Sequence, residues 1–220
     1  MPTITDLKGP AGSLEAVLDQ PALRTATGAP RAVAVFAHPH PEYGGTMHTK
    51  AVYQGAKGLA RIGCAVLRFN FRGVGRSAGE FDNGEGEMAD FRAALDYMAA
   101  KYPGSALWAA GFSFGAWVAL ETGAVDPRVS VLIGIAPPVA TSVSGMNYTF
   151  PNTEASTKPR FFVQGEADDV CPVEGMWAFY GKLEEPKELV TIDAADHLFE
   201  GKTTEVGEAL EDLLSDFPEP

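Results

Sequence analysis

Short apolar runs alternate with longer stretches of helical period along most of the chain. Apolar runs bounded by glycine or proline predict buried strands, and these are 32–37, 65–69, 106–110, 129–135, 160–164 and 188–192. Two weaker strands, 3–7 and 14–19, are expected to form an opening hairpin. The predicted helices are 48–62, 86–101, 114–122, 173–183 and 203–216. This alternation predicts an α/β fold, with a mostly parallel sheet of about eight strands and helices on both faces.

One segment interrupts this alternation. Residues 137–159 are rich in proline, serine, threonine and asparagine, and they show neither a helical nor a strand period. Connections of this length are usually functional or disordered. We interpret the segment as a short flap beside a pocket, with a plain surface loop as the alternative. The chain contains no repeat or linker, so we expect a single domain over 1–220 without a large cap.

Composition narrows the class of protein. The formal net charge is −12, which argues against nucleic acid as a partner because phosphate backbones are bound by clustered lysine and arginine. The sequence lacks a leader pattern and a run of about 18 apolar residues, so we expect a cytoplasmic protein with no membrane partner. Cys64 and Cys171 match no metal spacing and are expected to be unpaired thiols.

A lone serine stands between a predicted strand and a predicted helix in Gly111-Phe-Ser113-Phe-Gly115. Glycine and serine are also common turn residues, so the pattern alone decides nothing. The strand-to-helix context, however, is the one required for a Gly-x-Ser-x-Gly nucleophile elbow, in which small neighbours relieve the crowding of a strained turn. Ser113 is therefore a candidate nucleophile.

A nucleophilic serine needs a base and an acid, which follow it in the order Ser, Asp or Glu, His in sheets of this kind. Of the four histidines, His38, His40 and His48 precede Ser113, which leaves His197 as the candidate base. The acid is expected in the loop after strand 160–164, where three carboxylates compete. These are Glu166, Asp168 and Asp169, and the residues alone do not choose between the two aspartates.

An oxyanion hole requires two backbone N–H groups directed at the developing charge. The first is expected from Phe114, which follows the nucleophile. The second is expected in the loop after strand 32–37, where Pro39 and Pro41 have no N–H to donate. His40 lies between them and is the candidate donor through its backbone, while His38 is expected to brace the loop. The spacing argues against metal binding by His38, His40 and His48, because no carboxylate or thiolate partners them at a recognisable spacing.

Two further patterns have simpler structural explanations. The glycine-rich stretch 73–79 follows a strand but lacks the spacing of a dinucleotide-binding fingerprint. Three arginines, Arg68, Arg72 and Arg76, lie near the predicted pocket mouth. They are expected to be paired or solvated, with recognition of a substrate carboxylate as the alternative.

Together these motifs resemble the α/β-hydrolase superfamily, and within it the small lidless serine hydrolases related to dienelactone hydrolase. The resemblance covers the chain from about Val33 onward and rests on five stretches. These are His38-Pro-His-Pro with Gly44-Gly-Thr-Met, Arg68-Phe-Asn-Phe-Arg-Gly-Val-Gly-Arg-Ser77, the elbow, Gly165-Glu-Ala-Asp168 and Asp196-His197. The resemblance implies Asp168 as the acid and supports His40 as an oxyanion donor. Dienelactone hydrolase carries cysteine at the elbow, so its substrate is not carried over.

The expected function is hydrolysis of small to medium carboxylic esters through an acyl-enzyme on Ser113, with the ester as partner and neither metal nor organic cofactor. The candidate pocket residues are Tyr43, Phe112, Trp117, Met146 and Tyr148. Thioesterase, lactonase and acyltransferase activities use the same chemistry and remain alternatives. A member of the fold that binds a small ligand without catalysis is the alternative from another class.

Overall fold

An eight-stranded sheet forms the centre of the computed structural model, which describes residues 3–23, 25, 28–139, 142–143 and 146–217. Its strands are β1 (Thr3–Ile4), β2 (Ala16–Asp19), β3 (Val33–Ala37), β4 (Ala65–Phe69), β5 (Leu107–Phe112), β6 (Val129–Ile135), β7 (Arg160–Gly165) and β8 (Lys187–Ile192). They are ordered β1-β2-β4-β3-β5-β6-β7-β8. β1 pairs antiparallel with β2, and β2 antiparallel with β4, while the remaining pairs are parallel. The predicted mostly parallel sheet is confirmed.

Helices cover both faces of this sheet. They are α1 (Lys50–Arg61), α2 (Glu85–Lys101), α3 (Phe114–Val125), α4 (Pro151–Ala155), α5 (Val173–Tyr180) and α6 (Thr203–Ser215). Helices α1 and α6 pack with one side of the core, and α2, α3 and α5 with the other. No helix among the described residues is both long enough and apolar enough to cross a membrane.

Strand β3 shows why the central strands read as unbroken apolar runs. Val33, Val35 and Ala37 belong to one buried cluster, whereas Ala34 and Phe36 belong to the other. Successive side chains of a strand point to opposite faces, so a strand covered by helices on both sides needs apolar residues at every position. The same alternation is what made these strands predictable.

The segment 137–159 contains more regular structure than its sequence predicts. Residues Ser142–Val143 pair antiparallel with Met146–Asn147, and Pro151–Ala155 form α4. The reason for this helix is tertiary: the carboxylate of Glu121 in α3 accepts the N–H groups of Asn152 and Thr153 at its first turn. Residues 140, 141, 144 and 145 lie outside the described part of the chain, and the flap itself stays a prediction.

Parallel strands align their carboxyl ends at one edge of the sheet. The loops that follow β3, β5, β7 and β8 therefore emerge on the same side, with β5 between β3 and β6. Ligands of open α/β sheets bind in the crevice at this edge. The candidate nucleophile, base and acid all lie in these loops.

Candidate active site

Ser113 occupies a strained turn between β5 and α3. Its backbone has φ 53° and ψ −121°, in a region that non-glycine residues rarely adopt. The strain is held by the surroundings, since the N–H of Ser113 donates to the carbonyl of Ile135 on β6 at 2.9 Å. Its carbonyl accepts the N–H groups of Ala116 and Trp117 in the first turn of α3. Ser113 lines a cavity rather than lying in the core.

A continuous chain of hydrogen bonds joins the three predicted triad residues. The Nε2 atom of His197 lies 2.9 Å from Oγ of Ser113, and its Nδ1 atom lies 2.9 Å from Oδ2 of Asp168. With the proton on Nδ1, the imidazole donates to the carboxylate and presents a lone pair to the serine. This arrangement is the one in which a histidine can accept a proton from a serine hydroxyl.

The structure distinguishes the three carboxylates of the loop after β7. The carboxylate of Asp168 is buried, and its Oδ1 accepts the N–H groups of Val170 and Cys171 at 2.9 and 2.7 Å. Asp169 is exposed and lines the cavity, and Glu166 accepts the hydroxyl of Thr191 at the surface. Only Asp168 is held in contact with His197.

Close packing of two loops brings acid and base together. A Cβ atom on Gly165 would lie 2.4 Å from the carbonyl oxygen of Ala195, so only glycine allows the two loops to approach this closely. The N–H of Ala167 also donates to the carbonyl of Ala195, at 2.9 Å, and the N–H of Glu166 to that of Ile192 at 3.0 Å. His197 then follows within two residues of this junction.

His38 braces the loop after β3, as its sequence context predicts. Its Nδ1–H donates to the carbonyl of Pro39 at 2.7 Å, and its Nε2 accepts the N–H of Phe71 at 3.0 Å. The side chain is fully buried, and this burial lowers the pKa of His38 to about 4. The imidazole is therefore neutral and joins the loops after β3 and β4.

The side chains of His40 and Phe114, whose backbones are the two predicted oxyanion donors, pack against each other. The rings of His40 and Phe114 are 5.1 Å apart between centroids, and the N–H groups of both residues donate to no acceptor among the residues that the structure describes. Unsatisfied N–H groups beside a nucleophile are what an oxyanion hole requires. The donor role of both groups remains a proposal.

The imidazole of His40 has a structural role that the sequence did not predict. It is 5% exposed and packs against the rings of Tyr43 and Phe81 as well as Phe114. Its Nδ1 accepts the N–H of Glu42 at the start of a 3₁₀ turn, Pro41–Tyr43. Burial lowers the pKa of this imidazole, which keeps it neutral. The ring thus holds the loop whose backbone is the candidate donor.

A cavity of about 490 Å³ opens over Ser113. Its walls are mostly aromatic, aliphatic and proline side chains, with carboxylates at one side. The lining residues are Pro39, His40, Tyr43, Ser113, Phe114, Pro138, Tyr148, Asp169, Val170, Asp196, His197 and Leu198. Small-molecule sites are typically concave and largely apolar with a few polar groups, which this cavity matches.

The comparisons with known proteins agree with this geometry. The matching family model is described as serine aminopeptidase, S33, and it covers residues 28–144. An α/β serine hydrolase homologue from Coxiella burnetii is 37% identical, has a TM-score of 0.86 and matches over 97% of each chain. The chain belongs to the α/β-hydrolase superfamily. The resemblance stated from the sequence motifs is confirmed.

Two further relatives match this chain over most of its length, and one of them is a lidless serine hydrolase. A serine hydrolase without lid from Xanthomonas campestris is 35% identical with a TM-score of 0.83, and the match covers 96% of this chain and 92% of that one. An uncharacterised protein of Rickettsia prowazekii is 37% identical over 212 residues, which is 94% of this chain and 86% of that protein. This protein is therefore a lidless serine hydrolase by family.

Two of the five predicted pocket residues of this α/β hydrolase, Tyr43 and Tyr148, line the cavity, and three lie elsewhere. Phe112 precedes the serine on β5, so its side chain points to the other face and packs on His197 and Phe199. Trp117 lies one turn into α3 behind Tyr148, with its Nε1–H donating to the carbonyl of Thr149. Met146 lies beyond the same tyrosine, with its sulfur 3.9 Å from the Tyr148 hydroxyl.

The three arginines of this hydrolase are paired and carry no sign of substrate recognition. Arg68 is buried against Asp19 at 2.7 Å and also donates to the carbonyl of Met47. Arg72 binds Asp90 through Nε and Nη2, and the exposed Arg76 binds Glu15. These pairs hold the loop after β4, so the paired alternative is the one observed.

Sequence reasoning missed Gln164. This residue is the last but one of β7 and is fully buried, and its Nε2 donates to Oδ2 of Asp168 at 3.0 Å and to the carbonyl of Cys171 at 2.8 Å. The sequence did contain a signal for Gln164, since a glutamine inside an apolar buried strand needs buried partners.

Cys64 and Cys171 are both unpaired thiols, as predicted, and both are buried.

Proposed function

We propose that this serine hydrolase cleaves carboxylic esters of small to medium size through an acyl-enzyme on Ser113. The observation that carries the proposal is the hydrogen-bond chain from Ser113 through His197 to Asp168 at the floor of an apolar cavity. A serine that shares a hydrogen bond with an oriented neutral imidazole is an activated nucleophile.

In the first half of the reaction, Nε2 of His197 takes the hydroxyl proton as Oγ of Ser113 attacks the ester carbonyl. The imidazolium is stabilised by the carboxylate of Asp168, which remains ionised and is held in place by two backbone N–H groups and Gln164. The imidazolium then donates its proton to the departing alcohol. In the second half, His197 activates water in the same way, and the acid is released.

The negative charge that develops on the carbonyl oxygen is assigned to the N–H groups of His40 and Phe114. The absence of other acceptors for these two groups among the described residues supports the assignment. One donor of this kind is typically worth about 3 kcal/mol in the transition state.

The substrate size follows from the cavity. A volume of about 490 Å³ is within the range of sites that enclose small molecules. The cavity walls are apolar, which favours an apolar acyl or alcohol group over a charged one. The side chains that form them are Phe114, Pro138, Tyr148 and Leu198. Thioesters and lactones would use the same groups, so the assay below includes them.

The test is labelling with a reactive fluorophosphonate, followed by mass mapping of the modified peptide. We expect stoichiometric modification of Ser113 in the wild-type protein and none in Ser113→Ala. Labelling should also be lost in His197→Ala but retained in His48→Ala, a matched control because His48 is exposed and outside the cavity lining. A panel of p-nitrophenyl esters, thioesters and lactones then ranks substrate classes.

Two outcomes would contradict the proposal. Folded wild-type protein that does not react with the fluorophosphonate would favour a ligand-binding member of the fold without catalysis. Turnover that rises several-fold when an alcohol is added, with transesterified product, would identify an acyltransferase instead of a hydrolase.

A further inference from the structure

Three side chains with different donor atoms meet behind the catalytic imidazole. The carboxylate of Asp168, the thiol of Cys171 and the imidazole of His197 each place one donor atom within 4.8 Å of the other two. Asp168 and Cys171 are buried, and 12% of the His197 side chain is exposed. The proposed reaction uses Asp168 and His197 but gives the Cys171 thiol no role.

We propose that this cluster is an inhibitory binding site for a thiophilic divalent cation of the Zn²⁺ type. Thiolate, imidazole and carboxylate are the three side-chain ligands that zinc takes in proteins. Zinc lies about 2.0–2.3 Å from such ligands, so the donor atoms of a tetrahedral site are about 3.5 Å apart. Side-chain shifts of roughly 1 Å would bring the three atoms to that spacing, with solvent from the cavity as the fourth ligand.

An unpartnered buried oxygen lies next to this cluster. Gln164 is fully buried, and its Nε2 already donates to Asp168 and to the carbonyl of Cys171. Its Oε1 has no hydrogen-bond partner among the residues that the structure describes. A buried amide oxygen without a donor is costly, so the polar groups beside the cluster are not fully satisfied by the described residues. The same amide contacts the Asp168 carboxylate and the backbone carbonyl of Cys171.

The charge around the site favours a cation. The carboxylates of Asp169 and Asp196 line the adjoining cavity, and the chain carries a net charge of −12. A bound metal ion displaces the proton of a cysteine thiol, because the thiolate is the ligand.

Inhibition follows from the tautomer of His197. The proposed reaction needs the proton on Nδ1, which lies against Asp168, and the lone pair of Nε2 directed at the Ser113 hydroxyl. When Nδ1 binds the cation, its proton moves to Nε2, and the thiol of Cys171 releases its own proton to solvent. Ser113 then faces an N–H group that cannot accept its proton. The loss of activity rests on the proposed function, whereas binding of the cation does not.

The first arm of the test measures inhibition of ester hydrolysis by Zn²⁺ in the wild-type enzyme, Cys171→Ala and Cys64→Ala. Cys64 is the matched control because it is also a buried free thiol but lies in an apolar cluster that does not include Cys171. We expect wild type and Cys64→Ala to be inhibited at the same concentration, reversibly by a chelator, and Cys171→Ala to need at least about tenfold more Zn²⁺. Cys171→Ser replaces the alanine variant if that protein does not fold.

The second arm measures binding without turnover. Cd²⁺ is titrated into folded Ser113→Ala, which keeps all three ligands, and the ultraviolet cadmium–thiolate band is followed. We expect one equivalent to saturate the band, and the Cys171→Ala variant of this protein to lack it. Equal Zn²⁺ sensitivity of wild type and Cys171→Ala, or no band in Ser113→Ala, would overturn the site. A band in Ser113→Ala together with a folded wild-type protein that hydrolyses no ester, thioester or lactone would instead overturn the proposed function and retain the site.

Discussion

Gly115 lies directly against the carbonyl oxygen of His38. A Cβ atom at Gly115 would lie 2.4 Å from this oxygen and 2.6 Å from that of Ala37. The elbow and the loop after β3 therefore approach as closely as two backbones can, and this contact sets the spacing between the elbow and the loop that carries His40.

Gly115→Ala should disturb this spacing, because both opposing atoms belong to the backbone and cannot rotate away. We expect the free energy of unfolding to fall by about 1–3 kcal/mol and kcat to fall roughly 10²-fold. Urea unfolding and ester hydrolysis measure the two effects. Gly181→Ala serves as the control, since Gly181 has a helical backbone and its nearest neighbour would lie 3.3 Å away. Equal effects of the two substitutions would contradict the packing argument.

Asp168→Ala should lower kcat by a factor on the order of 10⁴, while Asp169→Ala should lower it by less than about tenfold. The reason is that Asp168 is buried against His197, whereas Asp169 is exposed at the cavity wall. Steady-state hydrolysis of one activated ester by both variants is the measurement. The reverse ranking would move the acid by one residue.

Two substitutions at His40 separate the backbone from the side chain. His40→Ala removes the ring but keeps the N–H, while His40→Pro removes both, and the backbone φ of −50° accommodates proline. The kcat of the proline variant should be roughly 10²-fold lower than that of the alanine variant, which corresponds to the loss of one oxyanion donor of about 3 kcal/mol. Indistinguishable kcat values for the two folded variants would remove His40 from the oxyanion hole.

Tyr148→Ala should extend the range of acyl chains. Tyr148 lines the cavity over Ser113 and also a second cavity of about 450 Å³ near Phe150 and Phe179, so its ring separates the two. Its loss should raise kcat/KM for octanoate relative to acetate esters by roughly tenfold, since each buried methylene contributes about 0.8 kcal/mol. Tyr148→Phe keeps the wall and should retain the wild-type ratio. An unchanged ratio in Tyr148→Ala would show that acyl chains take another path.

The burial of His38 predicts a pH dependence of stability. Folding lowers the pKa of His38 from 6.5 to about 4, so between these values the unfolded chain binds the proton that the folded chain excludes. The free energy of unfolding should therefore fall as pH falls from 6.5 to 4, by about 3 kcal/mol from this group. Urea unfolding from pH 7 to pH 4 should show a flatter profile in His38→Gln than in the wild type. Substitution of the exposed His48 by glutamine should leave the slope unchanged.

The sequence was sufficient for the strands, and it singled out two of the candidate site residues, because these signals are local. The central strands are buried on both faces, so they appear as apolar runs in the sequence itself. Ser113 is marked by its flanking glycines. His197 is the histidine that follows it, and the structure brings the two side chains to 2.9 Å.

Other features depend on contacts between residues that are distant in the chain. The loop after β7 has no period, so the choice between Asp168 and Asp169 depends on which carboxylate meets His197 and Gln164. Phe112 adjoins the nucleophile in sequence yet faces away from the cavity, because neighbours on a strand point to opposite sides.

Helix α4 and the contact between Cys171 and His197 could not be predicted from the spacing of residues in the sequence. Helix α4 begins where Glu121 supplies acceptors for its first N–H groups, from a helix about 30 residues earlier in the chain. Cys171 meets the imidazole of His197 only because Gly165 lets two loops pack backbone to backbone. Periodicity and motif spacing report what one segment of chain does by itself, whereas these contacts arise where two segments meet.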